Sequence, residues 1–92
     1  VRHVIVCGHY GCSGVHAAMA QRSVGLADNW LRHVQDVRAK HAAELDAIAD
    51  EAARARRLCE LNVREQARNV CESTVLRDAW ARSQAVSVHG WV

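Results

Sequence analysis

Ninety-two residues allow at most one small domain with a thin core, because a chain this short buries only a modest share of its unfolded surface. Half of the residues are apolar and 24% are charged, a composition that excludes intrinsic disorder. The net charge of +2 comes from basic residues scattered along helical segments, which argues against nucleic-acid binding, and no apolar run approaches the roughly 20 residues that cross a bilayer.

The chain opens without an initiator Met, directly in an apolar stretch, and stops in another at Val88-His89-Gly90-Trp91-Val92, which reads as an excerpt from a longer protein. Residues 2–7 are rich in Val and Ile and suit a buried strand of a parallel sheet, with Cys7 as a core residue. Gly8, Gly11 and Gly14 then break the pattern, and Val15, Ala18 and Met19 recur at helical spacing.

From Leu26 to about His41, Trp30, Val34, Val37 and His41 line one helical face, with Asp28 as a cap. Residues 43–57 form an Ala-rich amphipathic helix with Leu45, Ile48, Ala49 and Ala52 on one side. Its basic knot, Arg54 to Arg57, is flanked by Asp50, Glu51 and Glu60 and reads as a solvated face. Over 58–73, Cys59, Val63, Ala67 and Val70 make an apolar stripe beside a polar one of Asn62, Gln66, Asn69 and Ser73. Charged Arg64, Glu65, Arg68 and Glu72 already cover the solvent side, so the amides are expected to be partly buried at a contact. A short helix at 75–82 around Trp80 and a closing strand within 85–92 complete one helix-rich α/β unit.

The chemistry concentrates at His9 and Cys12. Loops that leave the carboxyl end of a strand and enter a helix are where α/β proteins bind ligands. Cys12 falls at or beside the helix N-terminus, where unpaired backbone N–H groups and the helix dipole favour a thiolate, the form that zinc or an electrophile takes. A Cys-dependent phosphatase loop fails, because the position that must be Arg is Ala18. The glycines match neither a dinucleotide fingerprint nor a P-loop. What stays open on spacing alone is a choice between half of a zinc tetrahedron and a merely capped histidine with a buried thiol. Cys7, two residues from His9, could offer a third ligand. Cys59, Cys71, His16, His33, His41 and His89 read as structural. The thiols are expected to be reduced, since the chain lacks the loop-rich character of disulfide scaffolds, and the cytoplasm is the simplest location.

The stretch from His3 to Met19, HVIVCGHYGCSGVHAAM, resembles the zinc-binding segment of the β-class carbonic anhydrases, usually a strand followed by G-H-x-x-C-G-G. Residues 25–37, 58–70, 78–84 and 88–91 match later segments of that family in order. The resemblance implies that His9 and Cys12 are two of four zinc ligands, the others lying in an upstream Cys-x-Asp-x-Arg stretch that this sequence does not contain. Residues 1–92 would then be a partial domain of a largely parallel sheet flanked by helices, also lacking the family's C-terminal continuation. The implied reaction is reversible hydration of carbon dioxide to bicarbonate and a proton, in a homodimer or tetramer with no nucleic-acid or membrane partner; a fragment lacking half the ligands would be inactive. Ser13 and Ser83 stand where the family usually has Gly. Ser13 and Gly14 would border the substrate pocket, and Asn62 and Gln66 would support the site or an interface. Two other readings remain: a relative of the same fold that hydrolyses carbon disulfide or carbonyl sulfide, and a non-catalytic assembly module.

Overall fold

A computed structural model describes residues 1–21 and 25–92. Strand β1 (His3–Cys7) pairs in parallel with β2 (Ser87–Trp91), in the register His3 with Ser87 through Cys7 with Trp91. A parallel pair needs a long crossover. Here it consists of α1 (Ser13–Ala20), a 3₁₀ turn (Gly25–Ala27), α2 (Asp28–Lys40), α3 (Ala42–Asp46), α4 (Glu51–Cys71) and α5 (Thr74–Ala81). This helix-rich arrangement with a small parallel sheet is the α/β class that the sequence predicts.

Helix α4 organises the rest. Its apolar stripe lies against the sheet: a Cβ added to Gly90 would sit 3.2 Å from Val63 Cγ1 and 3.6 Å from Ala67 Cβ. Because side chains alternate across a strand, Val4, Val6 and Val88 share that face, while His3, Ile5, Cys7, Ser87, His89 and Trp91 point the other way. The rest of the core is Val15, Val37, Leu45, Leu58, Cys59 and Leu61, with Cys12, Met19 and Val34 packed against it. Lys40 and Glu65 form an ion pair between α2 and α4 at 3.1 Å.

Several expectations need correction. Strand β1 alternates between exposed and half-buried, and Cys7 is exposed rather than core, because helices cover only one face of the two-stranded sheet among the described residues. The helix expected over 43–57 is broken. Helix α3 ends at Asp46, and α4 begins at Glu51 and runs through the boundary expected at residue 57. The break is held by polar contacts: Asp50 caps α4 by accepting from Ala53 N at 3.2 Å, and the Arg54 guanidinium donates to the Ile48 carbonyl at 2.7 and 3.1 Å. Ala49 and Ala52 are therefore exposed. Asp28 occupies the first turn of α2, whose N-cap is Ala27. Trp30 is 77% exposed, so the face it shares with Val34 and Val37 is buried only further along the helix. Ser73 leaves the polar stripe to cap α5, accepting from Leu76 N and donating to the Val70 carbonyl.

Helix α5 ends in a Schellman motif. Gln84 N donates to the Ala79 carbonyl and Ser83 N to the Trp80 carbonyl, both at 2.9 Å, with Ser83 left-handed at φ 60°. Left-handed backbone favours glycine, so this is the structural demand at the position where the serine is unusual. Ser13 makes no such demand: it opens α1, exposed, and is not among the residues of positive φ.

Candidate metal centre

His9 and Cys12 lie on the loop between β1 and α1, at the carboxyl end of the strand. Gly11, between them, has φ +75°, a conformation that glycine adopts without strain. Cys12 is the N-cap residue of α1, with extended dihedrals, and makes no side-chain capping bond. Its side chain is therefore not committed to capping the helix that it begins.

His9 Nδ1 lies 3.1 Å from the Tyr10 carbonyl oxygen. A carbonyl only accepts, so Nδ1 carries the proton and Nε2 of the neutral ring carries the lone pair. That tautomer leaves Nε2 free to ligate, and a backbone carbonyl on the second nitrogen is how metal-binding histidines are commonly oriented.

The loop is tied to α4 at three successive residues. A Cβ on Gly8 would fall 2.5 Å from Val63 Cγ2, so only glycine allows this approach without displacing the valine. The Cys59 thiol donates to the His9 carbonyl at 3.2 Å, and burial pushes its pKa up, keeping it a protonated donor. The Tyr10 hydroxyl donates to Glu60 Oε2 at 2.5 Å. Glu60 also accepts from Arg57 Nη1 at 3.2 Å, and Arg57 Nε donates to Glu44 at 2.6 Å. The Tyr10 hydrogen bond first, then that from Arg57, holds the Glu60 carboxyl below its usual range. Roles for Cys59, Tyr10 and Glu60 were not legible in the sequence, because these contacts join residues 50 apart.

An imidazole nitrogen and a cysteine sulfur, as His9 and Cys12 offer, are ligand types that zinc favours. Among the described residues no group of three His, Cys, Asp or Glu could hold a metal, so Cys7 does not join the pair. Asn62 and Gln66 are half-buried, in a groove between α2 and α4 whose lining includes Trp30, His33, Val34 and Asn69 but neither His9 nor Cys12. The amides satisfy one another in series: Gln66 Nε2 donates to Asn62 Oδ1 and Asn69 Nδ2 to Gln66 Oε1, each at 3.2 Å. Gly14 is half-buried, and a Cβ there would meet Leu31 Cδ2 and Cys12 Sγ at ordinary contact distances. On the far face of the sheet, His3 Nδ1 and His89 Nε2 approach to 3.1 Å.

Residues 1–92 match the family model described as carbonic anhydrase. The chain is 45% identical over its whole length to a carbonic anhydrase of Emericella nidulans, of which it covers 40%. It superimposes on the Coccomyxa β-carbonic anhydrase, solved in complex with acetazolamide, with a TM-score of 0.89 at 39% identity, covering 98% of this chain and 41% of that one. A tetrameric β-carbonic anhydrase of Sordaria macrospora aligns with a TM-score of 0.83 at 35% identity, covering 99% of this chain and 48% of that one. The chain thus spans between two fifths and one half of the length of these relatives.

Proposed function

The chain belongs to the β-carbonic anhydrase family, and from that premise we propose that the protein carrying it catalyses reversible hydration of carbon dioxide to bicarbonate and a proton, with zinc held by His9 and Cys12. The observation that carries this reading is the loop itself: a histidine locked with Nε2 free and a cysteine at a helix N-terminus, within a match that runs over residues 1–92. Zinc, when bound, supplies the Lewis acidity that makes water a nucleophile near neutral pH.

This chain's own residues hold and orient. His9 presents one lone pair in a fixed direction through its bond to Tyr10. Cys12 stands at the N-cap of α1 with no capping bond of its own, and Gly11 allows the loop its turn. Ser13 and Gly14 follow directly on Cys12 and are proposed to border the substrate. Asn62 and Gln66 are proposed to support the site or a subunit contact from the α2–α4 groove. Residues 1–92 are proposed to be part of a larger catalytic domain, with the other two ligands supplied by a Cys-x-Asp-x-Arg segment, a pattern this sequence does not contain. A homo-oligomer is proposed, supported by the tetrameric Sordaria relative. None of the helices among the described residues is long and apolar enough to cross a membrane, and four free thiols suit a reducing compartment, so the cytoplasm is the proposed location.

The test is stopped-flow hydration of carbon dioxide, with metal analysis, on the complete protein and its Cys12→Ser variant. Loss of both zinc and activity in the variant is expected. Full zinc content and full activity would reject the reading.

A further inference from the structure

The proton position on His9 is set by one carbonyl, and that carbonyl belongs to the residue whose side chain is fastened to α4. Tyr10 therefore has two ends. Its backbone oxygen accepts from His9 Nδ1, and its hydroxyl donates to Glu60, which Arg57 holds in turn while also binding Glu44. The neighbouring Cys59 thiol fixes the His9 carbonyl from the same turn of α4. We infer that Glu60 is a positioning residue for the metal centre: by anchoring the Tyr10 side chain it holds the 10–11 peptide where its carbonyl selects the Nδ1–H tautomer of His9, leaving Nε2 to the metal.

The geometry distinguishes this from general loop stability. Tyr10 is exposed, and its hydroxyl contact adds little apolar burial. Gly11, directly after it, is left-handed at φ +75°, and glycine is the residue whose dihedrals sterics restrict least, so Gly11 does not itself fix the orientation of the peptide between Tyr10 and Gly11. Of the side-chain hydrogen bonds among the described residues, the Tyr10–Glu60 bond is the one that restrains the side chain next to that peptide. The inference rests on reading His9 as a metal ligand, but its consequence is visible in the metal-free chain.

The test is nitrogen-15 NMR of the His9 ring in the 92-residue chain and in Glu60→Ala, Glu60→Gln, Tyr10→Phe and the Tyr10→Phe/Glu60→Ala double variant, at a pH where the ring is neutral. Far-UV circular dichroism and thermal midpoints give the fold control. In the parent chain the Nδ1–H tautomer should dominate. Glu60→Ala and Tyr10→Phe should each shift the tautomer ratio towards Nε2–H by about fivefold, the factor carried by one ordinary hydrogen bond. The double variant should shift it no further, since both changes break the same bond. Glu60→Gln, whose amide oxygen still accepts from Tyr10, should restore the parent ratio. A parent ring without a dominant Nδ1–H form, or an unchanged ratio in folded Tyr10→Phe, would overturn the inference. That failure would leave the proposed function standing, because the ligand role of His9 is read separately by metal binding in His9→Ala.

Discussion

Gly8 shows how a single missing atom positions the site. A methyl group there would lie 2.5 Å from Val63 Cγ2, so Gly8→Ala must push the loop off α4 or displace a buried valine. The expected cost is about 1–3 kcal/mol, the range for overpacking, measured as a lower urea midpoint at unchanged slope. Glu60 carries a pH prediction at the same scale. Its carboxyl titrates lower in the folded chain than in the unfolded one, so the folded state binds fewer protons in that window and stability rises with pH through it. The stabilisation is present above the ordinary glutamate pKa of about 4.3 and is lost as pH falls through the lower folded value. Urea midpoints of the parent chain and Glu60→Gln should therefore diverge near pH 6 and converge on acidification. A gap that stays constant across that range would show that the Tyr10 and Arg57 contacts do not favour the ionised form.

Ser83 closes α5 in a conformation that costs a side-chain-bearing residue roughly 1–2 kcal/mol relative to glycine, partly offset by the greater freedom of glycine in the unfolded chain. Ser83→Gly should raise stability by about 1 kcal/mol, read from urea denaturation, without changing the contacts of Gln84 or Trp80. Elements of this kind were legible in part. The strand into β1, the glycine loop, Cys12 at the start of α1 and the Cys59–Val63–Ala67 stripe of α4 all follow from periodicity and loop chemistry. The break between α3 and α4 does not, because residues 26–89 contain no Gly or Pro to punctuate the helices. It is made instead by the Asp50 cap and by Arg54 reaching back to Ile48. Likewise, the exposure of Trp30 and Cys7 depends on which faces have a neighbour. An apolar pattern along one strand or helix does not carry that information.

At the scale of the whole molecule, the two strands present one face to α4, and among the described residues no helix covers the other, where Ile5 is 48% and Trp91 55% exposed. Parallel sheets in α/β proteins are usually covered on both faces, and this chain spans only 40% of its Emericella nidulans relative. The two proposed ligands, with no third group nearby among the described residues, should give the chain alone only weak zinc binding. Isothermal titration should find a dissociation constant well above the nanomolar range, and a stoichiometric nanomolar site would mean that other residues complete the tetrahedron.

The family and the loop were legible from the ordered segments around His9 and Cys12. The anchoring of that loop was not, since Cys59 and Glu60 reach it across 50 residues. The central claim is that His9 and Cys12 are the metal ligands of this chain. It is tested most directly by titrating the chain with Co2+ and following the thiolate-to-metal charge-transfer band. The band is predicted to appear in the parent chain and in Cys7→Ser and Cys59→Ser, to be lost in Cys12→Ser, and to weaken sharply in His9→Ala. A band that survives undiminished in Cys12→Ser would contradict the account.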